Sequence, residues 1–169
     1  EIATVEEEED DFYGGGFDYH LNHFADAGDR RLYIAAEAGT VYRSDDGGET
    51  WFTLPSPYEG SYFGSLPLGG DALLLFGLRG HLYRSDDGGE TWALLPTSTT
   101  AMLTDGIRLQ DGTVVIAGLS GTLLVSRDGG LTFTLQQRED RLGIASILQT
   151  EDGGLILTGE GGARRIDSL

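Results

Sequence analysis

Asp45, Asp46 and Glu49 crowd three carboxylates into five residues, and the same spacing returns at Asp86, Asp87 and Glu90. Carboxylates at that density ligate calcium when a loop wraps them around the ion. The loop requirement is not met here, because position twelve counted from Asp45 is Ser56 and not a bidentate Glu. In the third copy, moreover, Arg127 stands where the first Asp would be. His20 and His23, with Asp18 and Asp26 nearby, form a second metal candidate. On a strand, however, a spacing of three turns two rings to opposite faces. No nucleophile elbow, phosphate loop or zinc motif is present in the sequence. Neither a metal nor a cofactor is therefore expected.

The same acidic residues make better sense as turn chemistry. Ser44 to Trp51 (SDDGGETW), Ser85 to Trp92 (SDDGGETW) and Ser126 to Phe133 (SRDGGLTF) repeat one pattern at a spacing of 41 residues. Asp46-Gly47-Gly48 suits a hairpin, since Asp bonds nearby backbone amides and Gly accepts positive φ. Ser44 satisfies further amides, Thr50 restarts the strand and Trp51 supplies apolar area to cover between sheets, about 1.5–3 kcal/mol if fully buried. The matching residues are Ser85, Asp87, Gly89, Thr91 and Trp92, then Ser126, Asp128, Gly130, Thr132 and Phe133.

The period extends beyond these segments. Gly39, Gly80, Gly121 and Gly162 share one column, as do Leu32, Leu73, Val114 and Leu155. Self-similarity at about 40 residues marks solenoids, propellers or arrays. Each unit divides into four strand-sized pieces: in the second, Ser61 to Leu66, Ala72 to Gly77, His81 to Arg84 and Thr91 to Leu95. The second pieces (LYIAA, ALLLFG, TVVIAG, LILTG) are nearly continuous apolar runs, as in strands covered on both faces. Small or polar residues interrupt the first pieces (Gly64, Asp105, Ser146), as an innermost, crowded strand requires. The predicted fold is all-β: a single β-propeller domain over residues 1–169, built from four-stranded antiparallel blades of 41 residues. Repeats of about 19–59, 60–100 and 101–141 are whole, and 142–169 is incomplete because Asp167 takes the place of the box serine.

Glu1 to Val5 reads like a fourth strand without its box, so residues 1–18 are expected to supply a strand closing the last blade plus an acidic, glycine-rich loop. The alternatives are a closed four-bladed ring and an arc that associates with another copy to complete a ring. A net charge of −17, with eleven Arg and no Lys, disfavours nucleic acid and anionic membranes and leaves a protein partner, basic in character, as the expectation. No apolar run is long enough for insertion into a membrane, and there is no cysteine for a disulfide framework. No signal-like segment is present, and a chain starting at Glu1 without Met is expected to have been trimmed.

The pattern Ser-x-Asp-x-Gly-x-Thr-Trp/Phe resembles the Asp box, or bacterial neuraminidase repeat. With the strand preceding it, the run Gly-x-Leu/Val-Tyr-Arg-Ser-Asp-Asp-Gly-Gly-Glu-Thr-Trp is most similar to the photosystem II assembly and stability factor family and its non-photosynthetic bacterial relatives. That resemblance implies a larger ring, of which this chain would be the C-terminal part. It also implies a non-catalytic scaffold assisting assembly of an envelope or membrane complex, in a periplasmic or otherwise exported setting. The alternative is a carbohydrate-binding or sialidase-like glycoside hydrolase propeller. A sialidase needs three arginines, a Tyr–Glu nucleophile pair and an acidic proton donor. The chain has these residue types, yet its nearest approach to the first-arginine segment is Arg165-Ile166-Asp167.

In such a blade the boxes lie on one face, while the fourth-to-first and second-to-third connections share the other. The side chains that vary between copies on that second face are the binding candidates: Tyr58, Glu59, Tyr62, Arg79, Arg138, Arg141, Glu37 and Glu160. Exposed Tyr and Arg are favoured interface anchors. His81, a lone strand histidine, is expected to be structural.

Overall fold

The computed structural model describes residues 19–167 and 169. The proposed closing strand and acidic loop in residues 1–18 lie outside the described residues. Three sheets have four strands and one has three. Blade 1 comprises β1 (Leu21–Gly28), β2 (Arg31–Ala36), β3 (Val41–Ser44) and β4 (Phe52–Thr53). Blade 2 comprises β5 (Tyr62–Gly69), β6 (Ala72–Gly77), β7 (Leu82–Ser85) and β8 (Ala93–Leu94). Blade 3 comprises β9 (Leu103–Arg108), β10 (Val114–Gly118), β11 (Thr122–Ser126) and β12 (Thr134–Gln137). Blade 4 has β13 (Ile144–Gln149), β14 (Leu155–Gly159) and β15 (Gly162–Ile166). Every pairing between sequential strands is antiparallel, which makes this the expected four-bladed β-propeller fold. The fourth strands of blades 1 and 2 are only two residues long.

The boxes hold their hairpins as the residue types demand. Ser44 Oγ donates to Asp46 Oδ1 at 2.8 Å and accepts the Gly48 amide at 2.8 Å, while Thr50 gives its amide to Oδ1 at 2.9 Å and its hydroxyl to Oδ2 at 2.6 Å. The second and third boxes repeat the pattern through Ser85, Asp87 and Thr91 and through Ser126, Asp128 and Thr132. Each carboxylate thus accepts several hydrogen bonds that only its ionised form can collect. Those from Thr91 lead in holding Asp87 down to about 2, and Asp46 and Asp128 are lowered further still.

Inner strands pack in succession, β1 on β5, β5 on β9 and β9 on β13; among the described residues no comparable contact leads from β13 back to β1. Side chains stitch these strands together. Ser65 donates its amide to His23 Nδ1 at 3.3 Å, and one repeat pair later Ile147 donates to Asp105 Oδ2 at 2.9 Å. Burial lowers the pKa of His23, which keeps Nδ1 free to accept. Between blades 2 and 3 the Phe76 ring fills the gap instead, lying against Gly64, where a Cβ would collide with it, and close to Gly106, where a Cβ would strike Ile116. Of the residues noted on the first strands, Gly64 therefore makes room for a core ring, while Ser146 donates to Asp105 across the next junction.

On the box rim, arginines tie blade 1 to blade 2 and blade 2 to blade 3. Arg43 Nη1 donates to the Gly88 carbonyl at 3.0 Å and meets Glu90 at 2.9 Å, and Arg84 Nη1 reaches the Gly129 carbonyl at 2.8 Å. In the third copy the column holds Val125, and in the fourth Ile166.

Two outcomes follow from this packing. Gly64→Ala should cost about 1–3 kcal/mol in chemical denaturation through overpacking, with part of the loss recovered in the Gly64→Ala/Phe76→Leu double variant. The folded-state pKa of Asp87 is depressed, so its contribution is full above its unfolded value of about 3.9 and is lost as pH falls through about 2. The melting-temperature gap between the parent and Asp87→Asn should accordingly be widest above about pH 4 and narrow towards pH 2, as scanning calorimetry would record.

Candidate binding face

Opposite the boxes, the chain turns from the second to the third strand of each blade. In blades 1 to 3 both central residues have positive φ: Ala38 and Gly39 (52° and 73°), Arg79 and Gly80 (58° and 70°), Ser120 and Gly121 (57° and 67°). These are two-residue turns of the type that matches strand twist. Glycine is demanded at the second position by contact as well as by φ, since a Cβ on Gly39 or Gly80 would strike the carbonyl oxygen of Tyr58 or Thr99. The loop leaving each blade therefore crosses its own turn, and Arg79 is left exposed at a tip.

At the junction of blades 1 and 2 an aromatic ledge forms. The Tyr58 ring stands edge-on to His81 with centroids 4.2 Å apart, and to Tyr62 at 6.2 Å; Tyr62 in turn meets Tyr83 at 6.3 Å. Tyr62 was expected as an exposed anchor, but it is 0% exposed and belongs to the core shared by the two blades. Burial pushes its phenol up to about 12, and its hydroxyl lies 3.0 Å from Ser56 Oγ. It supports Tyr58, which is half-buried, while Glu59 beside it is exposed. His81 joins the ledge.

Glu37 and Glu160 act on their own chain. Glu160 Oε2 accepts the Gly143 amide at 2.7 Å, and Glu37, its counterpart in blade 1, accepts the His20 amide at 3.4 Å and meets His20 Nδ1 at 3.1 Å. They anchor the start of an inner strand. His20 and His23 thus have separate partners, and no cluster of metal-ligating side chains occurs among the described residues.

At the junction of blades 3 and 4, Arg138 Nη2 (3.1 Å) and Arg164 Nη1 (2.5 Å) share Asp140 Oδ2. The Arg138 guanidinium leads in holding that carboxyl below its ordinary value. Arg141 is exposed, with φ of 53°. Arg164 escaped the sequence reading, although it breaks a column otherwise filled by Val41, Leu82 and Leu123. On the box face, Arg30 pairs with Glu49, Arg31 with Asp45 and Asp71, and Arg84 with Asp86.

The BNR/Asp-box repeat family model matches residues 42–53 and 83–94. Among curated proteins none matches the sequence. The structure is similar to YCF48 solved with a D1 peptide, with a TM-score of 0.67 at 21% identity over 89% of this chain and 50% of that one. YCF48 from Cyanidioschyzon merolae aligns with a TM-score of 0.60 at 20% identity over 83% and 52%, and an ancestral GH74 enzyme with 0.75 at 17% over 86% and 22%. The chain spans about half the length of the YCF48 chains. At these identities the likeness establishes the propeller fold.

Replacing Glu160 with Gln weakens a charge-assisted bond. Hydrogen exchange at the Gly143 amide should quicken about tenfold or more through local opening, with the global melting temperature little changed.

Proposed function

We propose that this chain is a non-catalytic propeller scaffold that engages a protein partner through the face opposite its boxes, in the assembly or stabilisation of an envelope or membrane complex. The observation that carries the reading is the contrast between the two faces. On the box face Arg30, Arg31 and Arg84 pair with acids of the first two boxes, whereas the turn face presents Arg79 at a left-handed tip, the Tyr58 ledge, Glu59 and Arg141. Aromatic and arginine side chains on firm supports are what interface anchors require. YCF48 has been solved with a D1 peptide bound, which supports a peptide segment as the kind of ligand such a propeller takes. The net charge of −17 favours a basic segment. An exported setting belongs to the same proposal.

A glycosidase reading draws on the likeness to the GH74 enzyme. Tyr62 argues against it in sialidase form: a nucleophilic tyrosine needs a carboxylate beside it and a lowered pKa, while Tyr62 is buried, bonded to Ser56 and raised.

Affinity capture from an envelope extract, with three baits, tests the proposal. The parent and a box-face variant, Arg30→Ala, should retain the same protein, and the turn-face triple variant Tyr58→Ala/Arg79→Ala/Arg141→Ala should lose it by about tenfold or more. Equal capture by the turn-face variant, or turnover of a fluorogenic glycoside panel by the parent, would overturn the reading.

A further inference from the structure

The described junctions between blades are closed by different chemistry at one column of the inner strands, which holds His23, Gly64, Asp105 and Ser146. An inner strand is the last of its sheet, so amides on its free edge must find acceptors outside the sheet. Ser65 gives its amide to His23 Nδ1 at 3.3 Å, across the junction of blades 1 and 2. Asp105 serves two such amides, that of Gly106 through Oδ1 at 2.8 Å and that of Ile147 through Oδ2 at 2.9 Å, and it also accepts the Ser146 hydroxyl at 2.5 Å. The bonds to Ser146 and Ile147 cross the junction of blades 3 and 4. Between blades 2 and 3 the column holds Gly64, against which the Phe76 ring packs. A second bond accompanies each polar stitch: Asn22 Nδ2 donates to the Tyr62 carbonyl at 2.8 Å, and Thr104 Oγ1, two repeats later, to the Ile144 carbonyl at 2.7 Å.

His23 and Asp105 are matched in place and unlike in chemistry. A carboxyl group keeps acceptor capacity in either protonation state, whereas an imidazole accepts at Nδ1 only when it is neutral and carries its proton on Nε2. Protonation turns Nδ1 into a donor that faces the Ser65 amide. The Ser65 hydroxyl, 3.5 Å from Nδ1, is the group to which the new proton can turn, and the amide is then left without an acceptor. Ser65 is 2% exposed, so little water is at hand to replace the lost bond. Among the described residues, Asp105 of β9 is the charged group whose field reaches the ring; it favours the imidazolium, but burial outweighs it and lowers the pKa from its ordinary 6.5. On β2, Arg31 is engaged by Asp45 and Asp71 and the Tyr33 hydroxyl by the Gly88 carbonyl. On β5 the Tyr62 hydroxyl lies against Ser56, within β1 Asp26 accepts the Gly28 amide, and just ahead of β1 His20 meets Glu37.

We propose that the junction of blades 1 and 2 is an acid-sensitive joint: a proton taken from solvent by His23 Nδ1 removes the acceptor of the Ser65 amide and loosens β1 from β5, while the junctions built on Phe76 and Asp105 stay closed. Because the folded-state pKa of His23 is depressed, its contribution to stability is full above its ordinary 6.5 and is lost as pH falls through the lower folded value.

Amide hydrogen exchange, corrected for the intrinsic pH dependence of the exchange reaction, tests the joint. In the parent, protection of Ser65 should fall about tenfold between about pH 7.5 and about pH 5, and that of Ile147 should hold. His23→Asn, whose side-chain carbonyl takes the place of Nδ1 as an acceptor at either pH, should keep Ser65 protected throughout, and His20→Gln should respond as the parent does. Protection of Ser65 that does not change with pH overturns the proposal. So does an equal fall at Ile147, a fall that persists in His23→Asn, or one that disappears in His20→Gln. Should His23→Asn fail to fold, a proton–nitrogen NMR titration of the parent decides. A Ser65 amide shift that follows the His23 ring, with a shared midpoint below about 6.5, supports the joint, and a ring that titrates without a response at Ser65 overturns it.

Discussion

One carboxylate per repeat sets the geometry on which the propeller depends. Asp46, Asp87 and Asp128 each gather a serine hydroxyl, a threonine hydroxyl and a threonine amide. An irregular segment that would otherwise leave amides unpaired becomes a fixed hairpin. Fixing it does two further things. It delivers the aromatic at its end to the gap between blades, where Trp92 packs beside Leu54 and Phe133 joins the core between blades 2 and 3. It also holds a glycine carbonyl at the rim, where the preceding blade's arginine can reach it. Local turn chemistry and long-range stacking are therefore one device. Apolar burial provides most of the stacking free energy, and the box determines which surfaces meet.

Much of this was legible in the sequence because a repeat multiplies weak signals. A single Asp-Gly-Gly hairpin says little, whereas the same turn at a fixed period, followed each time by an aromatic, implies blades. The second strands were recognisable as covered on both faces, and β6 and β10 are indeed buried almost throughout. Departures from register are informative as well: the column of Arg43 and Arg84 becomes Val125 and then Ile166.

The candidate site was legible only in part, for a physical reason. Periodicity tells which residues share a face, but it does not tell how far a loop side chain folds back. Tyr62 stands next to a loop and looked exposed, yet its blade turns it into the core and burial raises its phenol. Glu37 and Glu160 looked like ligands for a basic partner, and they cap the amides of His20 and Gly143 instead. Arg79 differs: its backbone lies in the left-handed region at a turn tip, and its side chain is exposed. Tyr58 combines both behaviours, covering Gly39 with its backbone while its ring leans on His81.

Variation between repeats therefore has two causes that must be separated before it can point to a partner. Some departures follow position in the stack: Val125 and Ile166 replace the rim arginine, and Thr158 and Arg164 fall in apolar columns of the last described blade. These would vary whatever the protein bound. Other departures occur at interior junctions whose packing is otherwise regular, and Arg79 between Ala38 and Ser120 is the clearest of them. Nothing in the stack requires an arginine there, since its neighbours in the column do the same turn with a methyl and a hydroxymethyl group. A side chain that the fold does not need, on a backbone that the fold holds still, is the kind of position at which selection for a partner can act without cost to stability.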